Sequence, residues 1–182
     1  MILVFSDSHT KTSDMLDVID KTLQDGGCVI HLGDHASDAD LVLKKHPGIN
    51  LTKVRGNCDY APQIPAEAII TAEGHKIFLT HGHLQNVKTG YNHLITSAIS
   101  READICLFGH THTPDIFYYE NILFLNPGSI SLSRSILCPT YAVINFANGK
   151  AEASVVAKEA FGYRPVFIKP KVYGSDFSEK GV

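Results

Sequence analysis

Three common sequence features are missing, and each absence excludes a class of protein. The formal net charge is −3, so the chain lacks the basic stripe with which duplex nucleic-acid binders displace counterions. No apolar run approaches the roughly 18 residues that span a bilayer. The first residues, MILVFSDSHT, carry no positively charged leader and turn polar by Ser6. We therefore expect a cytoplasmic protein with no membrane and no duplex nucleic acid among its partners.

Cysteine pairing is also absent from the pattern. The four cysteines are widely spaced and form no C-x-x-C pair, which excludes a zinc ribbon and a thioredoxin-type motif. Reduced thiols in the cytosol are the simpler interpretation. With 182 residues, 44% of them hydrophobic, the chain has enough apolar material for one domain with a core. We predict a domain over residues 1–160 and a C-terminal extension over 161–182, either packed on that domain or trailing from it.

Short apolar runs alternate with helix-like stretches, which predicts an α/β fold with right-handed crossovers. Glu73-Gly74 and Asn148-Gly149 indicate hairpin turns. Gly26 and Gly27 indicate the end of the first helix. The predicted helices cover residues 13–25, 38–45 and 91–102. The predicted strands cover 2–5, 28–32, 51–54, 68–71, 76–80, 104–108, 116–119, 122–125, 140–146 and 151–156, whereas the tail from Phe161, with Pro165 and Pro170, shows no clear period.

Polar residues follow five of the apolar runs directly. The carboxyl ends of strands in an open α/β sheet face one crevice, so these segments can deliver their side chains to one place. The residues are Asp7 and His9 after ILVFS, Asp34 after CVIHLG, Asn57 after LTKVRG, His81 after KIFLT, and His110 and His112 after ICLFG.

The residue types indicate what these side chains bind. Two aspartates, one asparagine and four histidines form an oxygen and nitrogen set without thiolate, which suits divalent Mn, Fe, Ni or Zn. Seven ligands are too many for one tetrahedral zinc. They suit two ions that share a carboxylate and keep positions open for water and substrate. A pair of ions roughly 3.5 to 4 Å apart is the usual device for in-line attack on phosphorus.

The same residues carry a family resemblance. D-x-H at 7–9, G-D at 33–34, G-N at 56–57, His81 and G-H-x-H at 109–112 occur in the order and rough spacing of the calcineurin-like metallophosphoesterases. The strings VRGNCD and LTHGH, with the short chain, resemble the small bacterial and archaeal phosphodiesterases of that superfamily. The resemblance implies an α/β fold, a four-layer αββα sandwich of two mixed β-sheets flanked by helices, with the metal site at one edge.

The resemblance also implies roles for individual residues. Asp34 would bridge the two ions, and a hydroxide held by both ions would attack the phosphorus of a small phosphate-ester substrate. The implied cofactors are two divalent transition metal ions, with manganese as the first choice and nickel, iron or zinc as alternatives. The first ion would be held by Asp7, His9, Asp34 and His112, and the second by Asp34, Asn57, His81 and His110, which are also the implied catalytic residues.

Cys58 departs from the family pattern. Many relatives have G-N-H-[DE], with a histidine that orients substrate and protonates the leaving oxygen, and a thiol cannot carry the positive charge of imidazolium. The hypothesis is therefore a preference for phosphodiesters, or for monoesters with good leaving groups. Two alternatives stay open: a general phosphomonoesterase, and a non-catalytic scaffold, because the retromer subunit of similar fold binds proteins through its sandwich surface. A homo-oligomer is left open.

The remaining polar residues have structural interpretations beside functional ones. We expect His31, His46, His75 and His93 to be hydrogen-bonded supports, and His83 to orient a ligand. Two residues keep both interpretations, His35 and Asp59, while Asp38 is predicted to cap a loop. The turn at residues 126–129 is predicted to be structural. Arg134 is a candidate for reaching an anionic substrate, and the loops at 84–92 and 130–139 are expected to contact its non-phosphate half.

Overall fold

The fold was obtained as a computed structural model, which describes residues 1–23, 26–131, 134, 138–160, 162–173 and 179–180. The helices are α1 (Thr12–Thr22), α2 (Asp40–Lys45) and α3 (Asn92–Ser100), with a 3-10 turn at Ala36–Ala39. The strands are β1 (Ile2–Phe5), β2 (Cys28–His31), β3 (Asn50–Lys53), β4 (Glu67–Ala72), β5 (His75–Thr80), β6 (Ile105–Leu107), β7 (Asp115–Tyr119), β8 (Ile122–Asn126), β9 (Thr140–Ala147), β10 (Lys150–Glu159), β11 (Gly162–Val166), β12 (Lys171–Tyr173) and β13 (Glu179–Lys180).

Two mixed sheets form the centre of the fold. One has six strands in the order β11-β10-β9-β1-β2-β3, and the other has seven in the order β13-β12-β7-β8-β6-β5-β4. Strands β1, β2 and β3 run parallel in the first sheet, as do β5, β6 and β8 in the second. Because the carboxyl ends of parallel neighbours meet at one edge of a sheet, the loops that follow these strands are placed together.

Side-chain alternation in β1 shows how the layers assemble. Ile2 and Val4 point into the apolar core between the two sheets, while Leu3 and Phe5 pack against α1 on the outer face. On the far side, α3 covers the second sheet through an apolar cluster that includes Leu94 and Phe108. Helices therefore flank both sheets, and the predicted four-layer αββα sandwich is confirmed.

The structure differs from the sequence prediction at two places. Helix α1 ends at Thr22, because Leu23 is extended and packs against the apolar cluster beneath the helix; residues 24 and 25 lie outside the described residues. The tail, whose sequence shows no clear period, was given no strands, yet β11 pairs with β10 and β12 pairs with β7. Both are short strands near the sheet margins, where Pro165 is tolerated and the alternation is weak.

The described helices include none that is long and apolar enough to cross a membrane. The four cysteines, Cys28, Cys58, Cys106 and Cys138, are all free thiols.

Candidate metal centre

Backbone hydrogen bonds hold the loops from both sheets together at one edge of the sandwich. The amide of Asp7 donates to the carbonyl of Gly33 at 3.0 Å, which joins the loops after β1 and β2. The amide of Gly109 donates to the carbonyl of His81 at 3.1 Å, which joins the loops after β6 and β5. The predicted site segments therefore meet in space, as the strand-end argument requires.

These loops have an unusual backbone. Positive φ angles are uncommon outside glycine and cost on the order of 1 kcal/mol or more each, so they persist only where the surroundings enforce them. Seven non-glycine residues in the loops have φ between 43° and 69°: Asp7, His9, Thr10, Asp34, His35, His110 and His112. Five of the seven predicted ligands are thus held in conformations that local preference opposes.

Glycines permit the close approach of these loops. A Cβ on Gly56 would lie 2.1 Å from Asp34 Oδ1, and one on Gly109 would lie 2.0 Å from Ser6 Oγ. Gly33 has a φ of +102°, and a Cβ there would lie 2.4 Å from the amide nitrogen of Gly56. The glycines before Asp34, Asn57 and His110 in the sequence motifs are therefore required by packing.

The first group of candidate ligands consists of Asp7, His9, Asp34 and His112, whose ligand atoms all lie within 4.8 Å of one another. His112 Nε2 is 3.0 Å from Asp7 Oδ1 and 3.4 Å from His9 Nε2. His9 Nε2 is 3.9 Å from Asp34 Oδ2. Ligand atoms placed 2.0 to 2.2 Å from one tetrahedral ion are separated by roughly 3.3 to 3.6 Å, so the group has the dimensions of a metal site.

The second group consists of Asp34, His81 and His110, again within 4.8 Å of one another. His110 Nδ1 lies 3.2 Å from His81 Nε2, and His81 Nε2 lies 3.4 Å from Asp34 Oδ1. Asp34 thus belongs to both groups. Its Oδ2 faces His9 of the first group, and its Oδ1 faces His81 of the second, so one carboxylate connects the two groups.

Asn57 lies on the wall of the same pocket, beside Cys58. Its Nδ2 donates to Cys58 Sγ at 3.3 Å, which leaves its amide oxygen available as a ligand. The amide nitrogen of Cys58 donates to Asp34 Oδ1 at 2.8 Å and fixes that carboxylate.

A buried oxygen tests whether the residues fit a metal. Asp7 is fully buried, and its Oδ2 accepts hydrogen bonds from Ser6 Oγ at 2.6 Å and from the amide of His110 at 3.2 Å. Its Oδ1 lies 3.0 Å from His112 Nε2 but accepts no aligned hydrogen bond from the described part of the chain. A buried carboxylate oxygen without a donor is costly unless something cationic binds it. Because this oxygen faces the candidate ligands, the donor set fits a divalent ion.

The carboxylates of the site are anions at neutral pH. Burial raises the pKa of Asp7, but the imidazoles of His112 and His81 more than offset it, and the pKa lies below its ordinary value. Burial also raises the pKa of Asp34, but His81 and the amide of Cys58 outweigh it and hold the pKa well below its ordinary value. Both residues therefore offer charged oxygens, the form that binds a divalent cation.

The histidines are arranged to present lone pairs. His81 is fully buried and lies with Nδ1 2.8 Å from the carbonyl of Leu32, so Nδ1 donates its proton there and Nε2 faces the second group. Burial, together with the positive charges of His81 and Lys88, lowers the pKa of His110 to about 4. Burial also opposes charge on His81, yet Asp34 and Asp7 outweigh it and raise the pKa of His81.

A buried relay around His31 positions the loops after β1 and β2. The amide of Gly33 donates to His31 Nδ1 at 3.2 Å, so Nε2 carries the proton and donates to Ser8 Oγ at 3.0 Å. Ser8 Oγ donates to Asp38 Oδ2 at 2.8 Å, and that oxygen also accepts the amide of Thr10. His31 is thus a support and Asp38 is a loop cap, as predicted.

Asp59 and the turn at 126–129 also support the loops. Asp59 accepts the amides of Ala36 at 2.9 Å and Gly56 at 2.7 Å, which favours the loop-cap interpretation. Asn126 Nδ2 donates to the carbonyl of Gly109 at 2.9 Å, and Ser129 Oγ donates to the carbonyl of Asp7 at 2.9 Å. The turn therefore has the structural role that its sequence predicted.

The other histidines divide by position. The rings of His35 and His9 are 5.4 Å apart, and those of His83 and His81 are also 5.4 Å apart, so both flank the site. His46 Nε2 forms a hydrogen bond with Asp20 Oδ1 at 2.7 Å, away from the loops that carry the candidate ligands. His75, at the start of β5, stacks on Phe146 with 5.6 Å between ring centres, and His93 is exposed on α3. Neither side chain forms a hydrogen bond with the described residues, so the prediction of a hydrogen-bonded support was wrong for these two histidines.

The pocket over the candidate ligands has a volume of about 250 Å³ and is also lined by Lys88 and Arg134. Arg134 was a sequence-based candidate for binding an anion. Sequence reasoning missed Lys88, because it lies in a loop without a motif. The contact between Val87 and Gly82, within the loop that joins β5 to α3, brings Lys88 to the site. The signal that was available was its position in a loop expected to contact substrate.

Comparisons with known proteins agree with this geometry. A family model for the calcineurin-like phosphoesterase superfamily domain matches residues 1–149. The probable metallophosphoesterase YsnB of Bacillus subtilis (strain 168) is 31% identical over 151 residues, covering 82% of this chain and 86% of YsnB. A crystal structure of an uncharacterized protein from Streptococcus pneumoniae TIGR4, named as a predicted phosphoesterase, matches with a TM-score of 0.74 at 30% identity, covering 91% of this chain and 95% of that one.

The fold also occurs in a protein with a different name. Vps29 from Entamoeba histolytica, solved in complex with Zn²⁺, matches with a TM-score of 0.75 at 19% identity, covering 91% of this chain and 96% of that one. At that identity the likeness concerns the fold alone. The family model spans most of the chain, and the predicted resemblance is confirmed: this protein belongs to the calcineurin-like phosphoesterase superfamily.

Proposed function

We propose that this protein is a phosphoesterase that depends on two divalent metal ions and prefers phosphodiesters to ordinary phosphomonoesters. The observation that carries the proposal is the position of Asp34, whose two carboxylate oxygens face two separate groups of ligands. The proposed ligands are Asp7, His9, Asp34 and His112 for one ion, and Asp34, Asn57, His81 and His110 for the other. Manganese is the first choice, with nickel, iron or zinc as alternatives.

Two bound ions would supply an activated water nucleophile at neutral pH and would neutralise charge on the phosphoryl oxygens. The protein's own contribution is positioning. The Leu32 carbonyl fixes the tautomer of His81, and the Cys58 amide fixes the orientation of Asp34. Because strained, hydrogen-bonded loops hold these groups before substrate arrives, little reorganisation is needed during the reaction.

The preference for diesters rests on Cys58. Burial and the nearby Asp34 carboxylate raise the pKa of this thiol to about 11, so it is neutral at pH 7 and cannot replace an imidazolium. A phenyl or alkyl leaving group then departs without a proton from this position. Diesters carry less negative charge than monoester dianions, and esters of acidic phenols need no proton, so these substrates lose least from the absence of a general acid.

The test compares three esters with the manganese-loaded protein. We expect turnover of bis(p-nitrophenyl) phosphate to exceed that of p-nitrophenyl phosphate, and phenyl phosphate, with its poor leaving group, to be slowest. Cys58→His should raise turnover of phenyl phosphate by about 100-fold or more, the usual scale for a general acid, and should affect p-nitrophenyl phosphate less. The matched control Cys58→Ser, which restores no acid, should give no such gain.

A non-catalytic scaffold is the competing candidate, because the similarity to Vps29 shows that this fold also occurs in a protein that is not named as a phosphoesterase. The full set of candidate ligands favours the enzyme, since a scaffold has no use for two groups that share Asp34. Purified protein that binds no manganese and hydrolyses none of the three esters would support the scaffold and overturn the proposed activity. An unchanged ratio of diester to monoester turnover in Cys58→His would overturn the account of Cys58.

A further inference from the structure

Two cationic side chains line the pocket but have no anionic partner within it. Lys88 and Arg134 are both exposed and line the same pocket as the candidate ligands. Neither side chain forms an ion pair or a hydrogen bond with the parts of the chain that the structure describes. Other cations, such as Lys53 and Arg101, are paired with carboxylates. The charges of Lys88 and Arg134 are therefore available to a ligand.

Backbone contacts connect both residues to the loops that carry the candidate ligands. The amide of Arg134 donates to the carbonyl of His112 at 2.8 Å. Lys88 follows Val87, whose amide donates to the carbonyl of Gly82 at 3.3 Å and whose buried side chain packs on that glycine. Arg134 thus contacts the candidate ligand His112 directly, and Lys88 is one residue from Val87, which contacts Gly82 beside His81. The backbone contacts that build the ligand-bearing loops therefore also place Lys88 and Arg134 at the pocket.

The charges of a metal-loaded site and a simple diester balance without Lys88 and Arg134. Two divalent ions bring four positive charges, and the carboxylates of Asp7 and Asp34 cancel two of them. A singly charged diester and a hydroxide nucleophile would cancel the other two. Asp38 and Asp59 already accept two hydrogen bonds each from the loops that they cap. Lys88 and Arg134 therefore call for further negative charge on the substrate.

We propose that Lys88 and Arg134 form a subsite for a second phosphate group, so that the substrates are phosphodiesters that carry an additional phosphate away from the scissile bond. This inference rests on the proposed function and specifies its substrate class. A guanidinium binds phosphate through two parallel N–H donors, and an ammonium adds a point charge. A pocket of about 250 Å³ is small for a ligand site, so it holds the phosphates while the remainder of the ester lies outside.

The test uses two substrates that differ only in the second phosphate: thymidine 5′-(p-nitrophenyl phosphate) and the same compound with a 3′-phosphate. For the manganese-loaded wild-type protein we expect kcat/KM to be about tenfold higher for the 3′-phosphorylated substrate, chiefly through KM, as for exposed charge-assisted hydrogen bonds. The advantage should shrink as ionic strength rises, because salt screens exposed charges. The double variant Lys88→Met with Arg134→Met should bring the ratio to about one, whereas the control Lys44→Met on α2 should keep it.

A binding measurement separates this inference from the proposed activity. Calorimetry of the manganese-loaded protein should show tighter binding of thymidine 3′,5′-bisphosphate than of thymidine 5′-phosphate, and the double variant should lose that difference. If neither nitrophenyl ester is hydrolysed but the binding difference appears and depends on Lys88 and Arg134, the proposed function fails and the subsite stands. If both esters are hydrolysed with equal KM, and the double variant changes neither the ratio of kcat/KM values nor the relative binding of the two nucleotides, the subsite is overturned and the proposed function stands.

Discussion

Gly56→Ala should separate two loops whose contact positions Asp34. The Cβ of alanine would lie 2.1 Å from Asp34 Oδ1 and 2.4 Å from the Asp34 amide nitrogen. The clash involves backbone as well as side chain, so a rotamer change at Asp34 cannot relieve it. The loop after β3 must move away from the loop after β2, and the Cys58 amide, which donates to the same oxygen, must move with it.

The size of the effect follows from these distances. Ordinary contact begins at 3.4 Å, so the groups must separate by more than about 1 Å in a closely packed region. Overpacking of this kind costs about 1 to 3 kcal/mol in the free energy of unfolding. A displacement of about 1 Å at a reacting centre lowers turnover by about 100-fold. Gly56→Ala should therefore lose more activity than its loss of stability explains.

Urea denaturation and turnover of bis(p-nitrophenyl) phosphate measure these two effects on the same preparation. Gly162→Ala is the matched control, because a Cβ there meets no atom within 4 Å and the backbone φ is not positive. The control should change the free energy of unfolding by less than about 0.5 kcal/mol and should keep wild-type turnover. A folded Gly56→Ala protein with wild-type manganese content and turnover would refute the packing argument.

Two further predictions concern pH. Burial lowers the pKa of His31 to about 4. As pH falls below the ordinary value of 6.5, the unfolded chain takes up a proton before the folded chain does, and the folded state loses stability. From this group alone, the free energy of unfolding of the metal-free protein should be about 3 kcal/mol lower at pH 4 than at pH 7. His31→Gln should flatten that slope in urea titrations, and an unchanged slope would contradict the assignment. The pKa of His81 is raised by Asp34 and Asp7 in the metal-free protein, so manganese must displace its proton and manganese affinity should rise with pH through that raised pKa. Calorimetry in buffers of different ionisation enthalpy measures the proton release, and binding without proton release near pH 7 would contradict the role of His81.

The strand pattern of the sequence was sufficient to predict most of the fold. The apolar runs before Asp7, Asp34 and His81 end where β1, β2 and β5 end, because buried parallel strands read as continuous apolar segments. The strands β11 and β12 were missed, because a marginal strand with Pro165 carries almost no periodic signal. Their pairing depends on partners that are distant in the sequence.

The candidate site shows a similar division. Spacing could indicate that His9 and His112, more than one hundred positions apart, gather at one edge, but not that their Nε2 atoms lie 3.4 Å apart. The positive φ angles of Asp34 and His110 were also outside the reach of sequence patterns, since local preference opposes them. Lys88 was missed for the same reason as β12, because its place is set by tertiary contacts.

Metal stoichiometry tests the shared carboxylate most directly. Equilibrium dialysis with manganese, followed by metal analysis, should find two ions per chain for the wild type. Asp34→Asn should weaken binding of both ions by about 100-fold or more, because an amide cannot bridge two cations as a carboxylate does. Asp40→Asn, which removes an exposed carboxylate paired with Lys53, should keep two ions. One ion in the wild type, or two tightly bound ions in Asp34→Asn, would contradict the two-ion site.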